Sequence, residues 1–214
     1  MKKINILLLT FYYPPDLGPA PLRAHSMVGA LLKQSSGDVN IDVITTTPNR
    51  YTSMAVEDDV NDFREKVQIK RIRLPSHNGG MIDQSKAFAF FAWQVLKTVR
   101  NSEYDIVVAS SSRLMTAFLA SLIARQKGSS LYLDIRDLFT DTIGDILHPK
   151  IGIFLHPILG FLEQVTFRSA DKINVVSPGF VNHVKKVAPG AKISVYTNGV
   201  DTVFHTVKNK KRAD

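Results

Sequence analysis

Short apolar runs that recur between stretches of helical periodicity constrain this chain more than any other feature. Ile4, Ile6, Leu7, Leu8 and Leu9 stand almost side by side. A strand covered on both faces of a parallel sheet reads this way. Six further strand-like segments follow: Val39–Thr46, Val67–Leu74, Tyr104–Ala109, Leu131–Ile135, Lys172–Val176 and Lys192–Tyr196. Helical segments separate most of them: one from Pro21, which suits a first helical turn, then Ser85–Arg100, Leu114–Gln126 closed by Gly128, Ile151–Arg168, and one opening at Pro178. Strands alternating with helices predict a doubly wound, Rossmann-like α/β fold with a mainly parallel sheet of about seven strands.

Local details refine this expectation. The alternation of Val67–Leu74 slips near Arg71, which predicts a bulge or an edge position. Thr47–Glu65 is polar and reads as a long loop or short helix. In Ser85–Arg100, Ala87 to Trp93 is apolar without a break, so that helix asks for burial on more than one side or presents a surface to lipid or a partner. Pro157 and Gly160 predict a kink or a split in Ile151–Arg168. Residues 1–200 read as one domain. Residues 201–214 read as a basic tail or the start of an interdomain linker.

Composition excludes several classes. The chain has 214 residues and no cysteine, so disulfides and thiolate metal sites are ruled out. The six histidines are scattered, and no metal site is expected. The first loop has neither a Gly-x-Gly-x-x-Gly fingerprint nor a Walker lysine, which argues against a dehydrogenase or a P-loop NTPase. No Gly-x-Ser-x-Gly elbow is present. The net charge of +8 comes partly from the tail (Lys208, Lys210, Lys211, Arg212) and partly from Arg64, Lys66, Lys70, Arg71 and Arg73. The tail reads as solvated; for the rest, an anionic membrane surface is a candidate partner and nucleic acid is not expected. No segment reaches the ~20 apolar residues of a membrane-spanning helix.

In an open parallel sheet, ligands bind beyond the C-terminal strand ends. Five such ends are polar or charged here: the first loop through Asp16 and Gly18, then Ser110–Arg113, Asp134–Asp137, Ser177–Gly179 and Asn198–Asp201. Asp16 is placed for general-base work on an acceptor hydroxyl, or as a turn residue. Gly18 permits close backbone approach at a helix N-terminus. Arg23 offers a fork for a pyrophosphate. Arg136 and Asp137 offer contacts to a phosphate, carboxylate or sugar hydroxyl, or a local ion pair. Ser111, Ser177 and Asn198 are small rim groups that also suit caps and turns.

Several of these pieces resemble family 4 retaining glycosyltransferases. Phe11-Tyr12-Tyr13-Pro14-Pro15-Asp16-Leu17-Gly18-Pro19 with Arg23 is similar to their first loop, and Leu133–Phe139 to their D-x-R-D-L-W-P segment. Glu163 and Arg168–Ile173 resemble their S-A-D-x-I junction. Val176-Ser177 and Asn198–Asp201 resemble the V-S and N-G-V-D that end their N-terminal domain. The resemblance implies one half of a GT-B fold, of the surface-polysaccharide biosynthesis type. It implies an acceptor-binding half that serves sugar transfer from a nucleotide sugar to a hydroxyl of a polysaccharide or lipid-linked oligosaccharide. Asp16 and Asp137 would be catalytic. Gly18, Arg23, Arg136, Ser111, Ser177 and Asn198 would bind substrate. It implies no cofactor beyond the nucleotide-sugar co-substrate, no metal, and a cytoplasmic place, with contact to the inner membrane face. The chain departs from the family at Pro19, where Gly is common, and at Phe139 and Thr140, where Trp and Pro are. The family's donor-binding glutamates do not occur in the 214 residues, so a donor domain in cis, or a separate chain in trans, is expected to complete the enzyme. The chain alone is expected to be inactive. The alternative is a stand-alone or split-partner binding module without catalysis of its own.

Overall fold

In a computed structural model of the chain, residues 3–35, 38–48, 65–75, 80–111, 113–138 and 149–199 are described. The elements run β1 (Ile4–Leu9), α1 (Pro19–Gln34), β2 (Val39–Thr46), β3 (Val67–Ile72), α2 (Met81–Val99), β4 (Ile106–Ser111), α3 (Leu114–Lys127), β5 (Ser130–Ile135), α4 (Pro149–Arg168), β6 (Lys172–Val175), α5 (Phe180–Val187) and β7 (Ile193–Val195). All seven strands are parallel and lie in the order β3-β2-β1-β4-β5-β6-β7. The fold is the expected Rossmann-like α/β architecture. Strand order reverses between β1 and β4, which leaves a crevice at their C-terminal ends.

The apolar run of β1 follows from its central place. Successive side chains point to opposite faces, and both faces are covered. Ile6 and Leu8 pack with Ala24 and Val28 of α1 and with Ile41, Val43 and Val108. Leu7 and Leu9 pack in the larger core with Phe91, Val95 and Val99 of α2, Ile123 of α3, Phe167 of α4 and Val184 of α5. Four helices therefore contribute to one core and α1 to the other. Ser110, Tyr132, Asp134 and Asn174 alternate with residues of the larger core and project to the α1 side of β4–β6.

Three expectations are corrected or sharpened. β3 is an edge strand with unbroken register from Val67 to Ile72, so the slip at Arg71 marks the edge and not a bulge. Its charges are held locally: Lys70 pairs with Asp42 at 3.1 Å and Arg71 donates to the Pro14 carbonyl. α4 is one continuous helix with Pro157 inside it. Proline removes one backbone donor, and that single loss does not split a 20-residue helix. In α2, Phe91, Val95 and Val99 are buried, but Trp93 is 56% and Leu96 38% exposed. Only one side of this apolar helix is buried. Phe11 of the first loop reaches it, 5.2 Å from the Phe91 ring centre and stacked on Phe88. Most of Thr47–Glu65, Arg64, Phe139, Thr140, His148 and the 201–214 tail lie outside the described residues.

Candidate functional site at the C-terminal strand ends

The first loop is fixed to the sheet by hydroxyl groups. Thr45 and Thr46 of β2 both donate to the Phe11 carbonyl, and Thr10 donates to that of Tyr12. Asp16 closes the following turn with its N–H on the Tyr13 carbonyl and is 5% exposed. Gly18 then caps α1 at φ 133°, ψ 175°, a backbone region reserved in practice for glycine. The loop is thus tied to the sheet beside the crevice.

Asp134 at the end of β5 is the centre of the adjoining network, and it is fully buried. Its carboxylate accepts from Arg23 Nε and Nη2 at 2.8 and 2.7 Å. Ser110 Oγ and Asn174 Nδ2 complete the set at 2.9 and 2.7 Å. Four bonds fill the acceptor capacity of a carboxylate. Ser110, Asp134 and Asn174 are register partners on neighbouring strands, so the sheet itself lines them up.

Arg23 is equally saturated. Beyond Asp134 it donates to the carbonyls of Tyr196 and Thr197 and to Asn198 Oδ1. All five guanidinium donors are used within the chain. Arg23 therefore clamps the start of α1 to β5 and to the segment that follows β7. The hydrogen bond to Asp134 holds its pKa above the ordinary arginine value, against the opposing effect of burial.

Arg113 and Arg136 stand differently. Together with Thr10, Phe11, Tyr12, Ala20, Ser110 and Ser111 they line a small, open cleft. The Arg113 guanidinium lies 4.4 Å from the Phe11 ring centre and 5.5 Å from that of Tyr12. One Nη donates to the Tyr12 hydroxyl at 2.8 Å. Arg136 Nε is buried and has no hydrogen-bond partner among the described residues. Burial, and secondarily the charge of Arg23, lower the pKa of Arg136, while Asp134 and Asp137 act the other way.

The remaining predicted residues take local roles. Ser111 Oγ accepts from the Arg113 N–H at 2.8 Å and donates to its carbonyl at 2.6 Å, which sets the β4–α3 turn beside the cleft. Asp137 accepts the Leu138 N–H at 3.0 Å. Ser177 Oγ accepts the Gly179 N–H at 3.3 Å. The structure thus brings Ser111 and Arg136 to one cleft and joins Arg23 with Asn198 through the clamp; it gives no direct contact between these and Ser177. Sequence reasoning did not single out Asp134, Asn174, Ser110, Tyr12 or Arg113 as site residues. A signal is present: Asp134 and Asn174 each stand between two apolar residues of their strand. Among the described residues, no group of three His, Asp or Glu is arranged to hold a metal.

No family model matches the chain, and no curated protein matches it. Solved structures do. UGT89C1 of Arabidopsis thaliana in complex with UDP is similar over 94% of this chain and 50% of its own, at 14% identity and a TM-score of 0.57. A putative UDP-N-acetylglucosamine 2-epimerase from Listeria monocytogenes is similar over 100% and 50%, at 17% identity and 0.58. The lipopolysaccharide outer core galactosyltransferase WaaB is similar over 92% and 46%, at 12% identity and 0.54. The fold is therefore that of a Rossmann-like half of a GT-B protein, and the chain spans about half the length of these structures.

Proposed function

We propose that this chain is the acceptor-side half of a family 4 GT-B retaining glycosyltransferase. The observation that carries the reading is the polar rim gathered at the C-terminal ends of β1, β4 and β5, on a fold whose solved relatives span twice its length. The reaction is sugar transfer from a nucleotide sugar to a hydroxyl of a surface polysaccharide or lipid-linked oligosaccharide. A donor-binding domain, in cis or from a second chain, supplies the sugar nucleotide. Neither metal nor further cofactor takes part.

Asp16 and Asp137 are the proposed catalytic carboxylates. Asp16 lies in the first loop, where a carboxylate can take the proton of an acceptor hydroxyl; such general-base catalysis contributes ~10²–10⁴-fold. Asp137 follows β5 beside Arg136, where it orients sugar hydroxyls. Gly18, Arg136, Ser111, Ser177 and Asn198 line or support the acceptor rim, with Arg23 holding the Asn198 segment in place. The protein works at the inner membrane face. Ile158 and Phe161 of α4 are 55% and 63% exposed, as a lipid-contacting helix would present them, although no described helix is long and apolar enough to cross a membrane.

The test is transfer of a labelled sugar from a panel of nucleotide sugars to lipid-linked saccharides extracted from membranes of the source cells, with the full-length protein. Labelled acceptor is expected, and an Asp16→Asn variant should lose at least ~10²-fold in kcat, as loss of a general base does. Absence of transfer, also after addition of a source-cell lysate that could supply a donor-domain chain, would leave only a binding module. Conversion of the nucleotide sugar to its epimer instead would overturn the reading.

A further inference from the structure

We propose that the cleft between Arg113 and Arg136 is a phosphoryl-binding subsite, which takes a phosphate or diphosphate group of the substrate. The inference rests on the glycosyltransferase reading for the source of that phosphate, but not for the site itself.

Among the described residues neither guanidinium is directly paired with a carboxylate, although the charges of Asp134 and Asp137 act on Arg136. Asp134 is already saturated by Arg23, Ser110 and Asn174, so it has no lone pair to offer. A guanidinium with a buried, unbonded Nε carries a desolvation cost that an arriving anion removes. Burial of Arg136 points the same way.

Arg113 is also preorganised. It is held over Phe11 and tied to Tyr12, and its backbone is locked by Ser111. These contacts fix the guanidinium without neutralising it. Cation–π contact leaves the in-plane N–H donors free for an oxyanion.

Shape points the same way. One guanidinium fork suffices for a planar carboxylate, as Arg23 on Asp134 shows in this same chain. Two guanidiniums on separate loops suit the several oxygens of a phosphoryl group. The cleft is small and open to solvent, so any group bound there contacts the two guanidiniums while the remainder of the ligand lies outside.

The experiment titrates full-length protein with inorganic pyrophosphate and follows the arginine Nε–H signals by NMR. The Arg113 and Arg136 signals are expected to shift together. Arg113→Gln and Arg136→Gln should each weaken binding at least tenfold, with thermal melts confirming that both variants fold. Arg136→Lys, which keeps charge but loses the fork, should fall between. Unchanged pyrophosphate affinity in both Gln variants, or shifts confined to other residues, would overturn the proposal. Two arms then identify the source. If a polyprenyl diphosphate-linked saccharide shifts the two signals, the phosphate is the acceptor's; if a nucleotide diphosphate sugar does, it is the donor's. A lack of response to both overturns the subsite as a substrate site. Pyrophosphate binding at these arginines in a protein without transfer activity would sink the glycosyltransferase reading and leave the subsite standing. Transfer unaffected by either Gln variant would do the reverse.

Discussion

Arg23 and Asp134 form a largely buried ion pair in the crevice. Asp134 is fully buried and its partner's side chain is 13% exposed. Removing one member of a buried pair strands the other, which costs about 3–5 kcal/mol. Asp134→Ala is therefore expected to lower the unfolding free energy by that amount in urea denaturation. Arg23→Met with Asp134→Leu should lose much less than the two single changes summed, because the pair itself is roughly neutral against an apolar substitute. Tyr13 allows a pH prediction. It is fully buried, and burial pushes its phenol up to about 12, partly offset by the charge of Arg71. The folded state keeps this proton after the unfolded state has lost its own at about 10. The contribution is whole below pH 10 and disappears as pH rises to about 12. Alkaline denaturation of a Tyr13→Phe variant should show a shallower fall in stability across that window than wild type. Arg23 is legible in the sequence as a cation at the crevice, but its partners are not. Nothing in a linear sequence reveals that Asp134, more than a hundred positions later, uses its donors.

Elements are more legible in the chain than side-chain contacts, because their signals are local. Seven apolar runs became seven strands, and Gly128 ends α3 in the left-handed region at φ 66°. Boundaries at α1 moved, since Pro19 and not Pro21 opens the helix after Gly18. That start depends on a glycine conformation, which leaves no periodic trace. Both glycines predict measurable effects. Gly128→Ala meets no atom within 4 Å, so its cost is conformational alone, about 1–2 kcal/mol. Gly18→Ala enters a region that costs roughly 1–3 kcal/mol. It should also loosen the first loop, so its stability loss should be accompanied by faster amide exchange at Tyr12 and Tyr13. A Gly18→Ala variant as stable as wild type would contradict the assigned cap. For α2 the continuous apolar composition hid which side faces outward, because a helix apolar all round has no polar face to mark the solvent side.

At the scale of the molecule, parallel pairing throughout β3-β2-β1-β4-β5-β6-β7 sends all the C-terminal loops to one edge of the sheet. Parallel pairing made that legible: if every strand runs the same way, every C-terminal end lies on the same side. What the sequence could not show was how the edge divides its labour. One part is a saturated clamp around Asp134. The other is an open, positively charged cleft at Arg113 and Arg136. On the proposed function, acceptor binds at this edge. Hydrogen exchange of the full-length protein, with and without a lipid-linked saccharide from the source membranes, measures it most directly. Slower exchange is expected at Phe11, Tyr12, Ser111, Arg113, Arg136 and Asp137, with no change at the opposite strand ends near Ile4, Val39 and Ser130. Protection at those opposite ends, or none at the cleft under saturating ligand, would contradict the account.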